Sequence, residues 1–168
     1  MPVEHLVDLP SLSFVYLDSN VLIYGLTGVS RQCGDLLDRC QREELTGVTL
    51  YETINEVTHR LMVAEAQSKG VITSGGAPAL RRSFRLIPTL RDYWHDTLRL
   101  LNLNLLLIPV SESVLRSAQT ERQAAGLLTN DSLIISCMRE YGLSYLATND
   151  SDFERVAGII LFKPDDLP

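Results

Sequence analysis

The chain has 168 residues, enough for one domain with a substantial hydrophobic core, and its 45% apolar and 21% charged residues are those of a globular fold rather than a disordered or fibrous one. No apolar run reaches membrane-spanning length, and "MPVEHLVDLP" lacks the charged start and long apolar stretch of a signal peptide; a cytoplasmic protein with no membrane partner is expected. The net charge of −6 excludes a simple basic groove that neutralises phosphate, but not carboxylates that meet phosphate through bound cations. Of the 15 basic residues only Lys69 and Lys163 are lysines, and arginine suits bidentate phosphate contacts. Cys33, Cys40 and Cys137 form no CxxC and no disulfide framework, so buried thiols in a reducing compartment are the expectation.

In chain order, residues 1–12 read as an extended leader containing Pro2 and Pro10, ahead of a single domain over 13–168. "FVYLD" (14–18) is a short strand, and "SNVLIYGL" begins a helix capped by Ser19 or Asn20. Residues 30–44 read as a helix with Leu36, Leu37 and Cys40 on one face, and 46–50 as a strand. Residues 51–70 form a long helix in which Ile54, Val57, Leu61 and Ala64 share a face and Gly70 is the stop. "VITSGGAPAL" (71–80) is a loop, and 81–103 is helical on either side of Pro88, which breaks or kinks it. Residues 104–110 predict a buried strand, 111–126 a helix with a Ser cap and a Gly stop, and 129–142 a helix with Leu133, Ile134, Cys137 and Met138 toward the core. A strand at 143–147, a short helix at 151–158 and a strand at 159–164 complete the chain. Strands alternating with helices predict an α/β domain, a parallel sheet covered on both faces.

In such sheets ligands bind beyond the carboxyl ends of strands. Asp18 ends the first predicted strand, Asp150 and Asp152 follow "LSYLA", Asp131 opens a helix, and Glu56 lies on the long helix. Two carboxylates about 4 Å apart repel by about 4 kcal/mol at an effective dielectric near 20, so a converging set calls for a cation. Oxygen-only donors select hard ions such as Mg²⁺ or Mn²⁺, and no His or Cys set is spaced for Zn²⁺. Two ions roughly 3.5–4 Å apart activate water and stabilise the leaving oxygen of a phosphodiester.

Each acid also has a plainer reading. Asp18, Asp131 or Asp150 alone reads as a helix cap; Glu52 and Glu65 read as a solvated helix face, as Glu56 would alone. Glu56-Val57-Thr58-His59 matches half of a di-iron element, but no second copy exists, and His59 reads as structural. Arg81, Arg82 and Arg85 could contact RNA phosphate, although a charge run is more often a solvated face. "GLTGVS" lacks the Gly-Lys-Ser/Thr ending of a phosphate loop.

Taken in order, four stretches resemble the PIN-domain family: "VYLDSNVLIYGL", "ETINEVTHRLMVAEA" with Glu56, "LTNDSLIISCM" with Asp131, and "LATNDSDFERVAGIILFKP" with Asp150 and Asp152. Together they span residues 14–164, and the nearest group they resemble is the VapC-type toxin ribonucleases. The resemblance implies a three-layer α/β/α sandwich with a central parallel sheet. It also implies a Mg²⁺- or Mn²⁺-dependent endoribonuclease acting on RNA, a homodimer, and a small antitoxin partner. Asp18, Glu56, Asp131 and Asp150 would hold the metal, Asp152 would be a fifth ligand or support, and Asn20, Thr148 and Asn149 would orient these groups or contact phosphate. The stretch 71–103 is longer than a minimal PIN domain needs, a loop with an Arg-rich helical insertion. Two rivals remain at this point: a phosphatase resembling the haloacid dehalogenase group, with Asp18 as nucleophile but Asn20 where its second Asp belongs, and a PIN-like binding module without activity, although no acid is missing.

Overall fold

The strand expected at "FVYL" is β2 (Phe14–Leu17), near the middle of a six-stranded sheet. The computed structural model describes residues 3–167. In chain order the other elements are β1 (Val3–His5), α1 (Ser19–Thr27), α2 (Arg31–Gln41), β3 (Thr46–Leu50), α3 (Tyr51–Ser68), α4 (Gly76–Arg82), α5 (Asp92–Leu101), β4 (Leu105–Ile108), α6 (Glu112–Ala125), α7 (Thr129–Glu140), β5 (Tyr145–Ala147) and β6 (Ile160–Lys163). Short 3₁₀ turns occupy Leu6–Asp8, Phe84–Thr89 and Ser151–Arg155. The sheet order is β1-β6-β5-β2-β3-β4, with every pairing parallel.

Alternation along β2 builds the three layers. Val15 and Leu17 point into one core with Leu22 of α1, Leu36 and Cys40 of α2, and Val57 of α3. Tyr16 points to the other face, among Val114 of α6 and Ile134, Ile135 and Met138 of α7. Side chains on successive strand residues face opposite ways, so a short apolar strand feeds both cores. The buried Tyr16 hydroxyl is paired with Thr53 Oγ1 of α3 at 2.8 Å and accepts from the Leu50 amide at 3.2 Å. The predicted faces of α2 and α7 hold, and all three thiols are buried. Burial pushes each thiol up to about 11, so they stay protonated and inert at neutral pH.

The structure departs from the sequence expectations in six places. The segment expected as an extended leader instead supplies edge strand β1, parallel to β6, and a 3₁₀ turn, and its Leu6 and Leu9 are buried in the core; Pro2 lies outside the described residues. Asp18, not Ser19 or Asn20, caps α1, its side chain accepting from the Ser19 amide. The apolar face of α3 ends on Glu65 and Ala66 rather than on Ala64, which is exposed. The expected loop at 71–80 already contains the start of α4. Residues 105–108 form an edge strand with Leu106 half exposed rather than a buried strand. The short helix expected at 151–158 is a 3₁₀ turn ending at Arg155. Pro88 does interrupt the helix: it sits in the 3₁₀ turn before α5.

The 71–103 stretch is anchored by a residue that looked solvated. Glu65 is buried; its Oε1 accepts from Lys69 Nζ at 2.5 Å and from the Arg91 amide at 2.8 Å, and its Oε2 from the Tyr93 amide at 2.9 Å. It thereby satisfies free amides at the start of α5, a capping role taken by a side chain from another helix. Thr97 Oγ1 to Thr58 Oγ1 at 3.2 Å continues the antiparallel α3–α5 pairing. A small separate core of Ala66, Ile72, Ala79, Leu80 and Leu90 closes the tip.

Candidate metal centre

β2 lies between β3 on one side and β5 on the other, so connections diverge to opposite sides at the carboxyl ends of β2 and β5. That is the switch point where open parallel sheets form crevices. Leu17 and Ala147 are in register, and the Asp18 amide donates to the Ala147 carbonyl at 3.1 Å, so Asp18 and the 148–152 turn flank one another there. α3 leaves the neighbouring end of β3, bringing Glu56 in on its second turn. α7 brings Asp131 in on its first turn.

Asp18 is held firmly. Its Oδ1 accepts from the Ser19 amide at 2.6 Å, and its Oδ2 accepts from Asn20 Nδ2 and Thr148 Oγ1, both at 2.6 Å. Asn20 Nδ2 also reaches Thr148 Oγ1 at 3.2 Å, and Asn20 Oδ1 accepts from the Asn149 amide at 2.9 Å. Asn20 and Thr148 thus contact Asp18 directly, and Asn149 contributes its backbone amide to Asn20. Thr148 Oγ1 accepts from the Asp150 amide at 3.0 Å, and Asp150 Oδ1 accepts from the Asp152 amide at 2.8 Å. The turn thus ties Asp150 to Asp18 through one buried threonine. Asp152 is half exposed and faces Arg155 at 3.3 Å.

Glu56 is held by residues the sequence reading did not select. Ser19 Oγ donates to its Oε1 at 3.0 Å and Asn130 Nδ2 to its Oε2 at 3.3 Å, while Arg60 Nη1 stands 3.7 Å from Oε1. Ser19 and Asn130 adjoin Asp18 and Asp131 in the chain, and Arg60 lies one helical turn after Glu56; those adjacencies were the available signals. His59 is exposed on α3. Arg81, Arg82 and Arg85 are exposed at the end of α4 and in the following turn, with the Arg85 guanidinium 5.7 Å from the Phe84 ring centre. Among the described residues none of these three arginines bonds a carboxylate of the cluster.

The electrostatics tie the acids together. Burial, and then the like charges of Asp150, Asp18, Asp152 and Glu56, push Asp131 up to about 6. Burial, only partly offset by the Thr148 and Ser19 hydrogen bonds, raises Asp18, and Glu56 and Asp150 add to the rise. The rise of these two acids is what burial beside like charges, with too little compensating charge, produces. Among the described residues no three acidic, His or Cys side chains are gathered closely enough to hold an ion as they stand. The donor set nevertheless fits a hard divalent cation in chemistry: it is all oxygen and over-charged, and although Asp18 Oδ2 is filled by Asn20 and Thr148, its Oδ1 accepts one bond only.

A parallel α/β/α fold with an acidic crevice at its switch point is a protein class in itself, and residues 15–159 match the PIN domain family. The chain belongs to that family. It is similar in fold to VapBC2 from Rickettsia felis, described as bound to a promoter DNA fragment: TM-score 0.59, 17% identity, covering 90% of this chain and 99% of that one. It is also similar to a toxin–antitoxin complex from Klebsiella pneumoniae, with TM-score 0.55, 19% identity, and 86% and 94% coverage. A third likeness is VapC20 from Mycobacterium tuberculosis, described as a sarcin–ricin loop cleaving toxin: TM-score 0.55, 12% identity, 86% and 96% coverage. No curated protein matches the chain in sequence. Family membership sets aside the dehalogenase-like reading. Among the described residues no helix is long and apolar enough to cross a membrane.

Proposed function

We propose that this protein is a Mg²⁺- or Mn²⁺-dependent endoribonuclease that acts as the toxin of a cytoplasmic toxin–antitoxin pair. The observation that carries the proposal is the convergence of Asp18, Glu56, Asp131 and Asp150 on the switch point from four separate elements, with Asp131 raised by burial and then by the like charges around it. In this reading Asp18, Glu56, Asp131 and Asp150 hold the metal, and Asp152 is a further ligand or supports Asp150. The ion, when bound, offsets the acidic charge and lowers the barrier for water to attack phosphorus.

The chain's own residues do the positioning. Thr148 and Asn20 fix the direction of Asp18 and, through Thr148, of Asp150. Ser19 and Asn130 hold the two oxygens of Glu56. A preorganised donor set lowers the cost of reaching the reactive arrangement. No histidine lies among the contacts described for the cluster, so proton transfer rests on the carboxylates and solvent.

The fold likeness to toxin–antitoxin complexes supports an antitoxin partner. The exposed Trp94, Leu98 and Leu101, spaced by four and three residues along α5, support a homodimer, since such a stripe is one apolar helix face. Arg81, Arg82 and Arg85, beside the exposed Phe84, suit RNA phosphates and a stacked base.

The test is cleavage of single-stranded and structured RNA by purified protein with Mg²⁺, Mn²⁺ or chelator, beside Asp18→Asn and Asp150→Asn. Cleavage only by the wild type with metal is the expected result. Equal cleavage by all three proteins sinks the assignment, and a metal-loaded wild type that binds RNA without cutting it favours the inactive binding module.

A further inference from the structure

Arg60 is the cation nearest the Glu56 corner, and nothing in the catalytic reading above uses it. Its Nη1 donates to Ser19 Oγ at 3.3 Å and lies 3.7 Å from Glu56 Oε1, the oxygen to which Ser19 Oγ donates at 3.0 Å. Two side chains, Ser19 and Arg60, therefore meet on one carboxylate oxygen. The arginine side chain is 47% exposed and Glu56 35% exposed, so both are reachable from solvent. Their pairing is an i,i+4 contact at the surface, a kind that contributes little to stability and parts easily.

Position and charge give this contact a use. The crevice gathers five carboxylates on a protein of net charge −6, and an RNA phosphate must approach it. Among the described residues one other cation pairs with an acid of the cluster, Arg155 with Asp152. Arg155 is also anchored to the Gly126 carbonyl at 3.3 Å. Arg60 has no such backbone anchor among the described residues. Its guanidinium fork matches the oxygens of a phosphate better than it matches one carboxylate oxygen shared with a serine.

We propose that Arg60 grips RNA phosphate at this site. While Glu56 lacks a metal partner, the guanidinium is its counter-cation; when a divalent ion takes Glu56, Arg60 passes to a phosphate oxygen of the bound RNA. The proposal rests on the nuclease reading, and it separates Arg60 from a residue that merely positions Glu56. A positioning residue strengthens metal binding, whereas a counter-cation that competes for Glu56 weakens it.

The experiment uses the full chain and the variants Arg60→Gln and Arg60→Lys, with unchanged far-UV circular dichroism as the fold control. Mn²⁺ alone is titrated by calorimetry. A fluorescein-labelled 2′-O-methyl oligoribonucleotide is then titrated by anisotropy in Mn²⁺ at several salt concentrations. Arg60→Gln is expected to bind Mn²⁺ about three- to tenfold more tightly, as the competing charge is gone. It is expected to bind the oligonucleotide about tenfold more weakly, with a salt slope smaller by about 0.7, the value of one single-strand phosphate contact. Arg60→Lys keeps the salt slope and recovers only part of the affinity. Weaker or unchanged Mn²⁺ binding by Arg60→Gln, or an unchanged salt slope, overturns the proposal while leaving the nuclease reading standing. Wild-type protein that binds neither Mn²⁺ nor the oligonucleotide overturns both.

Discussion

Replacing Glu65 with alanine perturbs the hairpin that carries the Arg-rich tip. Burial acts to push the Glu65 carboxyl up, but the Lys69 ammonium and the backbone amides of Tyr93 and Arg91 overcome it and hold the group at about 2, from an ordinary 4.5. A depression of that size corresponds to about 3 kcal/mol at neutral pH. Lys69 is 40% exposed, so solvent screens its share, and the two amide bonds, at about 1.5–3 kcal/mol to a charged acceptor, set the scale. Glu65→Ala should therefore cost about 2–3 kcal/mol, or roughly 5–10 °C in Tm for a chain of this size. Because the folded pKa is depressed, the contribution is complete above about pH 4.5 and is lost as pH falls toward 2. Urea unfolding followed by Trp94, the one tryptophan of the chain, reports on α5 directly, and amide exchange at Arg91 and Tyr93 should accelerate. Glu52→Ala, on the exposed side of the same helix, is the control and should stay within about 0.5 kcal/mol. A Glu65→Ala protein within that same margin, with protected Arg91 and Tyr93 amides, would refute the trans-capping account.

Two further outcomes are expected. Asp131 is raised in the fold to about 6, so its protonated form stabilises the protein below about pH 4 and that stabilisation is lost as pH rises through 6, up to about 3 kcal/mol. Metal-free Asp131→Asn should flatten that part of the Tm-versus-pH curve, and saturating Mn²⁺ should stabilise the wild type at pH 7 but not the variant; identical curves would remove Asp131 from the cluster. Leu6→Ala should cost about 2–4 kcal/mol by chemical denaturation, because Leu6, in the turn after β1, is 1% exposed in the core; a cost below about 0.5 kcal/mol, within the range of surface substitutions, would show that this core contact of the N-terminal segment is dispensable.

The sequence carried the parts of this fold that repeat locally. The apolar runs at 14–17 and 143–147 read as strands because a doubly covered parallel sheet wants nearly continuous hydrophobics, and 46–50, Thr-Gly-Val-Thr-Leu, through its β-branched residues. The acids became legible as a site only in combination, since Asp18, Asp131 and Asp150 each follow or open an element whose end points to the same edge. Contacts between distant segments were not legible. Glu65 looked solvated because its partners, the Arg91 and Tyr93 amides, lie 26 and 28 residues away and backbone amides have no sequence signature. The Glu56 holders were hidden in the same way: Ser19 is 37 residues from it and Asn130 is 74. Leu6 and Leu9 looked like part of a leader because three residues of edge strand show no alternation to detect. Asp18 took the cap expected of Ser19 or Asn20 because it sits at the last extended residue, where a carboxylate reaches the first free amide. That placement lets one residue cap α1 and face the crevice.

We propose that Asp18, Glu56, Asp131, Asp150 and Asp152 form one cation site. It is tested most directly by calorimetric titration of metal-free protein with Mn²⁺ at pH 7, wild type beside Asp18→Asn and Asp150→Asn. Saturable binding by the wild type is expected, weakening as pH falls below about 6, where Asp131 holds its proton, with a loss of at least tenfold in affinity in each variant. Absence of saturable binding by the wild type, or binding by both variants with unchanged affinity, would contradict it.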